Sequence, residues 1–318
     1  MPPAADALYE RRWWTLAVLC LSLLMIIVGN TVLNVAIPTL IRDIGATNSQ
    51  LQWIVDAYSL VFAGLLLTAG ALGDRYGRKG ALNIGLLVFG AGSLAAALSD
   101  TPSQLIACRA VMGVGAALVM PATLSLLASV FPPRERARAI AIWAGVAGMA
   151  VALGPIVGGW LLVHFWWGSV FLINLPVVAL ALVAGRFLVP TSRDPGRTPL
   201  DPAGSALSIA GLLLILYGII EAPIRGWGDS LILGAFGLGL AVFVVFAVWE
   251  LRAAHPMLDL RAFRRPALTG GSLAISLVFF AMFGTFFMLT QYFQIVHGYT
   301  PLGAGVRLLP MEIGRAHV

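Results

Sequence analysis

Charge is what this sequence has least of. Only 11% of its 318 residues are Asp, Glu, Lys or Arg, against roughly 25% in soluble globular proteins, so an ordinary water-soluble enzyme or binding domain is excluded. Acids are the scarcer sign, fourteen against twenty basic residues, and among the basic ones Lys79 is the single lysine. The preference for arginine points to a GC-rich bacterial coding sequence. The two cysteines, Cys20 and Cys108, both fall in apolar runs and are too few for a disulfide framework. The four histidines, His164, His255, His297 and His317, are scattered. With no metal-ligand spacing, no Ser/His/Asp set and no phosphate-cradling loop, a polytopic membrane enzyme is the weakest reading, and neither a metal nor a cofactor is expected.

What the chain has instead is apolar length. Hydrophobic residues make up 59% of it and the mean hydropathy is +0.92, which defines an integral membrane protein. At about 20 apolar residues per crossing, nine runs qualify: Trp13 to Pro38, Leu51 to Gly73, Ala81 to Leu98, Gln104 to Val130, Ala139 to Val163, Ser169 to Val189, Ala203 to Glu221, Ser230 to Trp249 and Ala267 to Tyr292. A tenth begins near Pro301 and reads as far as Met311. The expected fold is therefore all-α and polytopic, with nine complete transmembrane helices and the start of another. A transmembrane barrel would alternate polar and apolar residues, and these runs do not. The first run is too long for a cleaved secretory signal and lacks a small-residue cleavage site, so it is read as a retained helix.

The cations report orientation. With a cytoplasmic N-terminus, the inner segments hold Arg11, Arg12, Arg75, Arg78, Lys79, Arg134, Arg136, Arg138, Arg186, Arg193, Arg197, Arg252, Arg261, Arg264 and Arg265, and the outer loops only Arg42 and Arg225. That asymmetry is the positive-inside pattern. It accounts for a net charge of +6 without a nucleic-acid partner; the expected partners are the lipid bilayer, protons and a small-molecule substrate. The expected organisation is a six-helix N-terminal bundle over 1–189, then a linker, two extra helices and a basic loop over 190–266, then the start of a second bundle over 267–318.

Three strings carry chemistry. Between the second and third helices lies Gly70-Ala71-Leu72-Gly73-Asp74-Arg75-Tyr76-Gly77-Arg78-Lys79, whose glycines allow a tight reversal beside a cluster of charges. The fourth helix carries Arg109 followed by Gly113 and Gly115; an arginine in a span costs about 2.5 to 3.5 kcal/mol on insertion scales. It must either face a partner or cavity, or be satisfied by main-chain carbonyls where helices cross. The fifth helix contains Ala150, Gly154, Pro155, Gly158 and Gly159, a kinking proline among glycines spaced for close helix contact.

Together these strings resemble the major facilitator superfamily, and the similarity extends over nearly the whole chain. The first matches the loop that joins its second and third helices at every defining position, which implies that Asp74, Arg75 and Arg78 are gate residues, with Gly70, Gly73, Gly77 and Lys79 completing the motif. The second is similar to the fourth-helix motif in which the arginine is associated with proton transfer, with Met112 where Gln is common. The third resembles the antiporter motif that marks exporters, with Ala150 in place of its first glycine. Further strings are similar to the 14-span drug:proton antiporters, including the quaternary-ammonium exporters: Gln52-Trp53 with Asp56 and Tyr58, Trp167 to Pro176, Pro256 to Arg261, and Gln291 to Gly305. The two extra helices of that subfamily match 203–221 and 230–249.

An antiporter needs a group that exchanges a proton for substrate. Where the subfamily commonly places an Asp before the run Asn30-Thr31-Val32-Leu33-Asn34, this chain has Gly29. Asp56 is then the substitute candidate, at a depth that matches Arg109; the two would pair and exchange partners, unless Asp56 is only a wetted residue at the outer mouth. Asn30 and Asn34, one turn apart, either face the same cavity or bond between helices. Phe279, Phe283 and Phe286 form a stripe that either contacts a lipophilic cation or faces lipid.

The resemblance thus implies a proton-coupled exporter of amphipathic or cationic compounds across the bacterial cytoplasmic membrane, energised by the proton gradient and working by alternating access. The alternative is an exporter dedicated to one endogenous metabolite such as an antibiotic. On this reading the chain holds the first half, the two-helix insert and the beginning of the second half of a longer transporter, so transport by this stretch alone is not expected. Residues 312–318, with Glu312, Arg315 and His317 in an apolar context, are expected to be an assembly artefact.

Overall fold

The computed structural model describes residues 10–192, 201–254, 256, 258–300, 303 and 307, and all regular structure among them is helical. Helix α1 (Arg12–Thr31) runs almost directly into α2 (Leu33–Ile44). The interruption falls where the Thr31 hydroxyl donates back to the carbonyls of Ile27 at 3.0 Å and Val28 at 3.4 Å, a bond that bends helices. The pair continues through Pro38, six residues past the expected end of the first span, and stops at Gly45, whose φ of 64° suits glycine. Helices α3 (Asn48–Tyr76) and α5 (Pro102–Val130) both begin in a capping box, Thr47 with Gln50 and Thr101 with Gln104, so their first turns leave fewer orphan N–H groups.

Helix α4 (Arg78–Ala97) follows α3 across Gly77 alone, at φ 127°, and α6 (Pro133–His164) follows α5 across Phe131 and Pro132. The expected sixth span is broken in two, α7 (Ser169–Leu172) and α8 (Asn174–Leu188). Pro176 explains the break: it lacks the N–H that would bond Leu172, and its ring crowds that carbonyl.

The chain divides into two compact units, the second of which is Pro199–Thr300. In the first, α5 packs along both α3 and α4, while α1 packs on α6 and α8. The apolar core includes Leu19, Leu33, Phe89, Met112 and Phe171. At the start of α1 Arg12 donates through Nε and Nη2 to both carboxylate oxygens of Glu135, at 2.7 and 3.1 Å. Trp13 lies edge-on to Phe131 at 5.1 Å and under the Arg138 guanidinium at 5.4 Å. Arg12→Ala is expected to lower stability by about 1 kcal/mol, and the difference from the wild type should shrink with added salt; thermal melts across a sodium chloride series measure it.

The second unit contains the hairpin of α9 (Pro202–Arg225) and α10 (Ser230–Arg252), then a 3-10 turn (Leu260–Arg264), α11 (Pro266–Gln291) and a π-helical turn (Tyr292–Val296). Asp201 caps α9 by accepting from the Gly204 N–H at 2.8 Å, and the Trp249 indole N–H donates to the same carboxylate at 3.1 and 3.0 Å. Buried Glu250 accepts from the Leu258 N–H at 3.0 Å, tying the loop after α10 back to it.

Eight helical stretches among the described residues are long and apolar enough to cross a membrane, α7 and α8 counting together as Ser169–Leu188, and α11 adds a shorter apolar run, Pro266–Met282. The tenth run and residues 312–318 lie outside the described residues. So do the side chains of Phe283 and Phe286; Phe279 is exposed.

Candidate functional site

Arg109 is the largest fully buried side chain of the described residues, with no exposed area. It enters the space between α1, α3 and α5. Its Nε donates to the Ile54 carbonyl at 3.0 Å, Nη1 to the Gly29 carbonyl at 3.4 Å, and Nη2 to Asn30 Oδ1 at 2.8 Å. The guanidinium carbon stands 4.3 Å from the centroid of the Tyr58 ring. Of the expected site residues the structure therefore brings Arg109 and Asn30 together, and main-chain carbonyls at the helix crossing supply much of the rest.

Asp56 is not brought to Arg109: no ion pair joins them, and none of the ion pairs among the described residues contains either. Depth along the helix agrees with the expectation, but helical phase does not. Ile54 and Tyr58, one turn apart, both face Arg109. Asp56 lies two residues from each, about 160° around α3 at 100° per residue. It is half-buried on the face that also carries exposed Gln52 and Ala63. Asn34 is likewise half-buried, across the α1–α2 interruption from Asn30.

The position where the resemblance expects an acid is tightly surrounded. A Cβ on Gly29 would lie 3.1 Å from Phe89 Cζ and 3.4 Å from Asn174 Nδ2. Asn174, 2% exposed, donates to Ser93 Oγ at 3.0 Å. Ser93 and Asn174 are polar groups of this interior that spacing alone did not single out. A lone Asn in an apolar run was the available signal.

The reversal between α3 and α4 is tied to the end of α8. Arg78 pairs with Asp74 at 2.6 Å and donates through Nη1 to Ser192 Oγ at 3.1 Å, while its backbone N–H donates to the Ser192 carbonyl at 2.9 Å. Lys79 Nζ donates to the carbonyls of Arg186 at 3.0 Å and Val189 at 2.6 Å, oxygens that the end of α8 leaves without helical partners. The expected gate residues thus divide. Asp74, Arg78 and Lys79 are engaged inside this unit, whereas Arg75 lies along the Tyr76 ring at 5.4 Å and enters no ion pair among the described residues. Gly70 and Gly73 sit in close contact with Pro121 and Ala81, at 3.3 and 3.1 Å from an added Cβ.

The glycine-proline string of α6 rests on the α1–α2 interruption. A Cβ on Gly154 would overlap Thr31 Oγ1 and lie 2.8 Å from Thr31 Cβ; one on Gly158 would overlap Val32 Cγ2 and lie 2.9 Å from Val35 Cγ2. Pro155 and Gly159 are buried beside them.

A family model described as Major Facilitator Superfamily matches residues 19–314. Among curated proteins, the tetracenomycin C resistance and export protein of Streptomyces glaucescens is 37% identical over 309 residues, 96% of this chain and 57% of its own length. The multidrug efflux pump LfrA of Mycolicibacterium smegmatis is 41% identical, over 97% of this chain and 61% of its own. The methyl viologen resistance protein SmvA of Salmonella typhimurium is 38% identical, over 95% and 61%. The chain spans about three fifths of these relatives' lengths. Among solved structures, tetrameric PepTSo2 superposes with a TM-score of 0.56 at 15% identity, covering 89% of this chain and 60% of that one, which is a likeness of fold.

Proposed function

The chain belongs to the major facilitator superfamily, and from that premise we propose that it serves proton-coupled efflux of amphipathic or cationic compounds by alternating access. Membership makes it a multi-pass membrane transporter rather than an enzyme. The 14-span layout is part of the proposal, with α9 and α10 as the two extra helices and α11 opening the second bundle. The cytoplasmic N-terminus in a bacterial inner membrane rests on the arginine asymmetry, and the energy source is the proton gradient alone.

The observation that carries the coupling is a buried cation and a half-buried carboxylate, Arg109 and Asp56, in the same bundle. Ionisable groups at membrane depth are costly and mark ion pathways. Asp56 is the proton-exchanging group on this reading, acting on the face of α3 opposite Arg109 rather than paired with it. Asn30 bonds Arg109 toward the first helix, and Asn34 remains available to a substrate. The export direction is supported by the relatives, which are resistance and efflux proteins.

Inside-out vesicles containing the full-length gene product should accumulate ethidium while releasing protons, and Asp56→Asn should reduce coupled uptake at least about tenfold, equivalent to 1.4 kcal/mol. Unchanged coupling in that variant removes Asp56 from the pathway; ethidium uptake without proton movement removes antiport. A second reading, one dedicated metabolite, is favoured by the relative described as a tetracenomycin C exporter and predicts a resistance profile confined to a single compound.

A further inference from the structure

The guanidinium of Arg109 is held entirely by neutral groups. Its three hydrogen-bond acceptors are two main-chain carbonyls and one amide oxygen, so none cancels its charge. What lies against its flat face is the ring of Tyr58, 4.3 Å from the guanidinium carbon and well inside the roughly 6 Å reach of cation–π attraction. Both groups are buried, where desolvation strengthens that attraction, and a planar cation is suited to it.

The ring is itself fixed from several sides. Tyr58 is 3% exposed. Its hydroxyl donates to the Ile26 carbonyl at 3.3 Å, Phe62 lies parallel to it at 6.1 Å, and Phe89 meets it edge-on at 6.5 Å. On α5, Gly113 is one turn beyond Arg109, and a Cβ there would come 2.7 Å from the Tyr58 carbonyl. The same approach of α5 to α3 that seats the arginine therefore also seats the ring.

We infer that Tyr58 is a positioning residue for Arg109, its π-face taking the place a counter-ion would otherwise hold. A carboxylate at that place would neutralise the arginine. An aromatic face anchors the guanidinium yet leaves its full charge acting on the bundle interior. The inference rests on the proton-coupled reading for its effect on transport, and its structural part stands apart from that reading.

Both parts can be measured on the full-length gene product. Tyr58→Phe keeps the ring and removes only the hydroxyl, and should retain proton-coupled ethidium uptake within twofold of the wild type. Tyr58→Leu should reduce it at least tenfold, and in an Arg109→Met background the same change should add nothing. Because Leu leaves a smaller side chain that could loosen the bundle, a second series keeps the shape: successive fluorination of a phenylalanine at 58, introduced by amber suppression, drains the π-face and should lower uptake stepwise. In parallel, thermal melts of Tyr58→Leu, Arg109→Met and the double variant should be non-additive.

The inference is overturned if Phe is as damaging as Leu, if fluorination has no effect, or if the Leu change is additive to Arg109→Met in the melts. Absence of proton movement in the wild type overturns the antiport reading instead, and the melts then decide the positioning role by themselves.

Discussion

Gly154→Ala is expected to unseat α6 from the first helix pair and to leave little folded protein in the membrane. The added methyl would overlap Thr31 Oγ1 and stand 2.8 Å from Thr31 Cβ and 3.2 Å from the Val32 nitrogen. Two of those atoms are backbone or next to it, so rotating a side chain clears only part of the overlap. Overpacking in a tight interior costs about 1–3 kcal/mol and occasionally more; with backbone in the way, the upper end applies. Gly148→Ala on the same helix is the control, because its Cβ meets nothing within 4 Å and alanine favours a helix over glycine by about 1 kcal/mol. Detergent melts and membrane yields of the two variants measure the contrast. Equal melting temperatures would mean that the glycine string does not set the α1–α6 distance.

The second large effect separates function from stability. In the full-length gene product, Arg109→Met should leave the melting temperature within a few degrees of the wild type while reducing the proposed coupled transport at least about a hundredfold, near 2.7 kcal/mol on the limiting barrier. The two sides of the stability comparison are close. Interhelical hydrogen bonds in membranes average about 0.6 kcal/mol with a maximum near 1.7, so three contribute about 2–5 kcal/mol. Against that stands the insertion cost of an arginine, about 2.5–3.5 kcal/mol, which methionine avoids. Arg109→Lys should not restore transport. One ammonium cannot span carbonyls on α1 and α3 together with Asn30, and it lacks the flat face that rests on Tyr58. Normal transport in either variant would show that the arginine is structural.

The apolar runs and the three motif strings were legible because hydropathy and glycine spacing are local. Depth was legible too: Asp56 and Arg109 do lie at comparable levels of their helices. Azimuth was not. Helix α3 is apolar on most of its circumference, so nothing in its own sequence tells which face meets α5, and the pairing of Asp56 with Arg109 failed on a turn of about 160°. The break before α8 could have been read from Pro176, whose missing N–H falls four residues after Leu172, but a continuous hydropathy run conceals it. The link from Lys79 to the end of α8 joins residues 110 apart, and the Asp201–Trp249 bond joins residues 48 apart. Such contacts appear only once the helices are placed.

That last bond has a bearing on how the protein is made. As α9 and α10 leave the ribosome, the polar start of one and the indole near the end of the other can meet as soon as Trp249 emerges, and Glu250 then gathers the Leu258 N–H. The hairpin closes on groups of its own, so these three bonds draw on no residue outside 201–258.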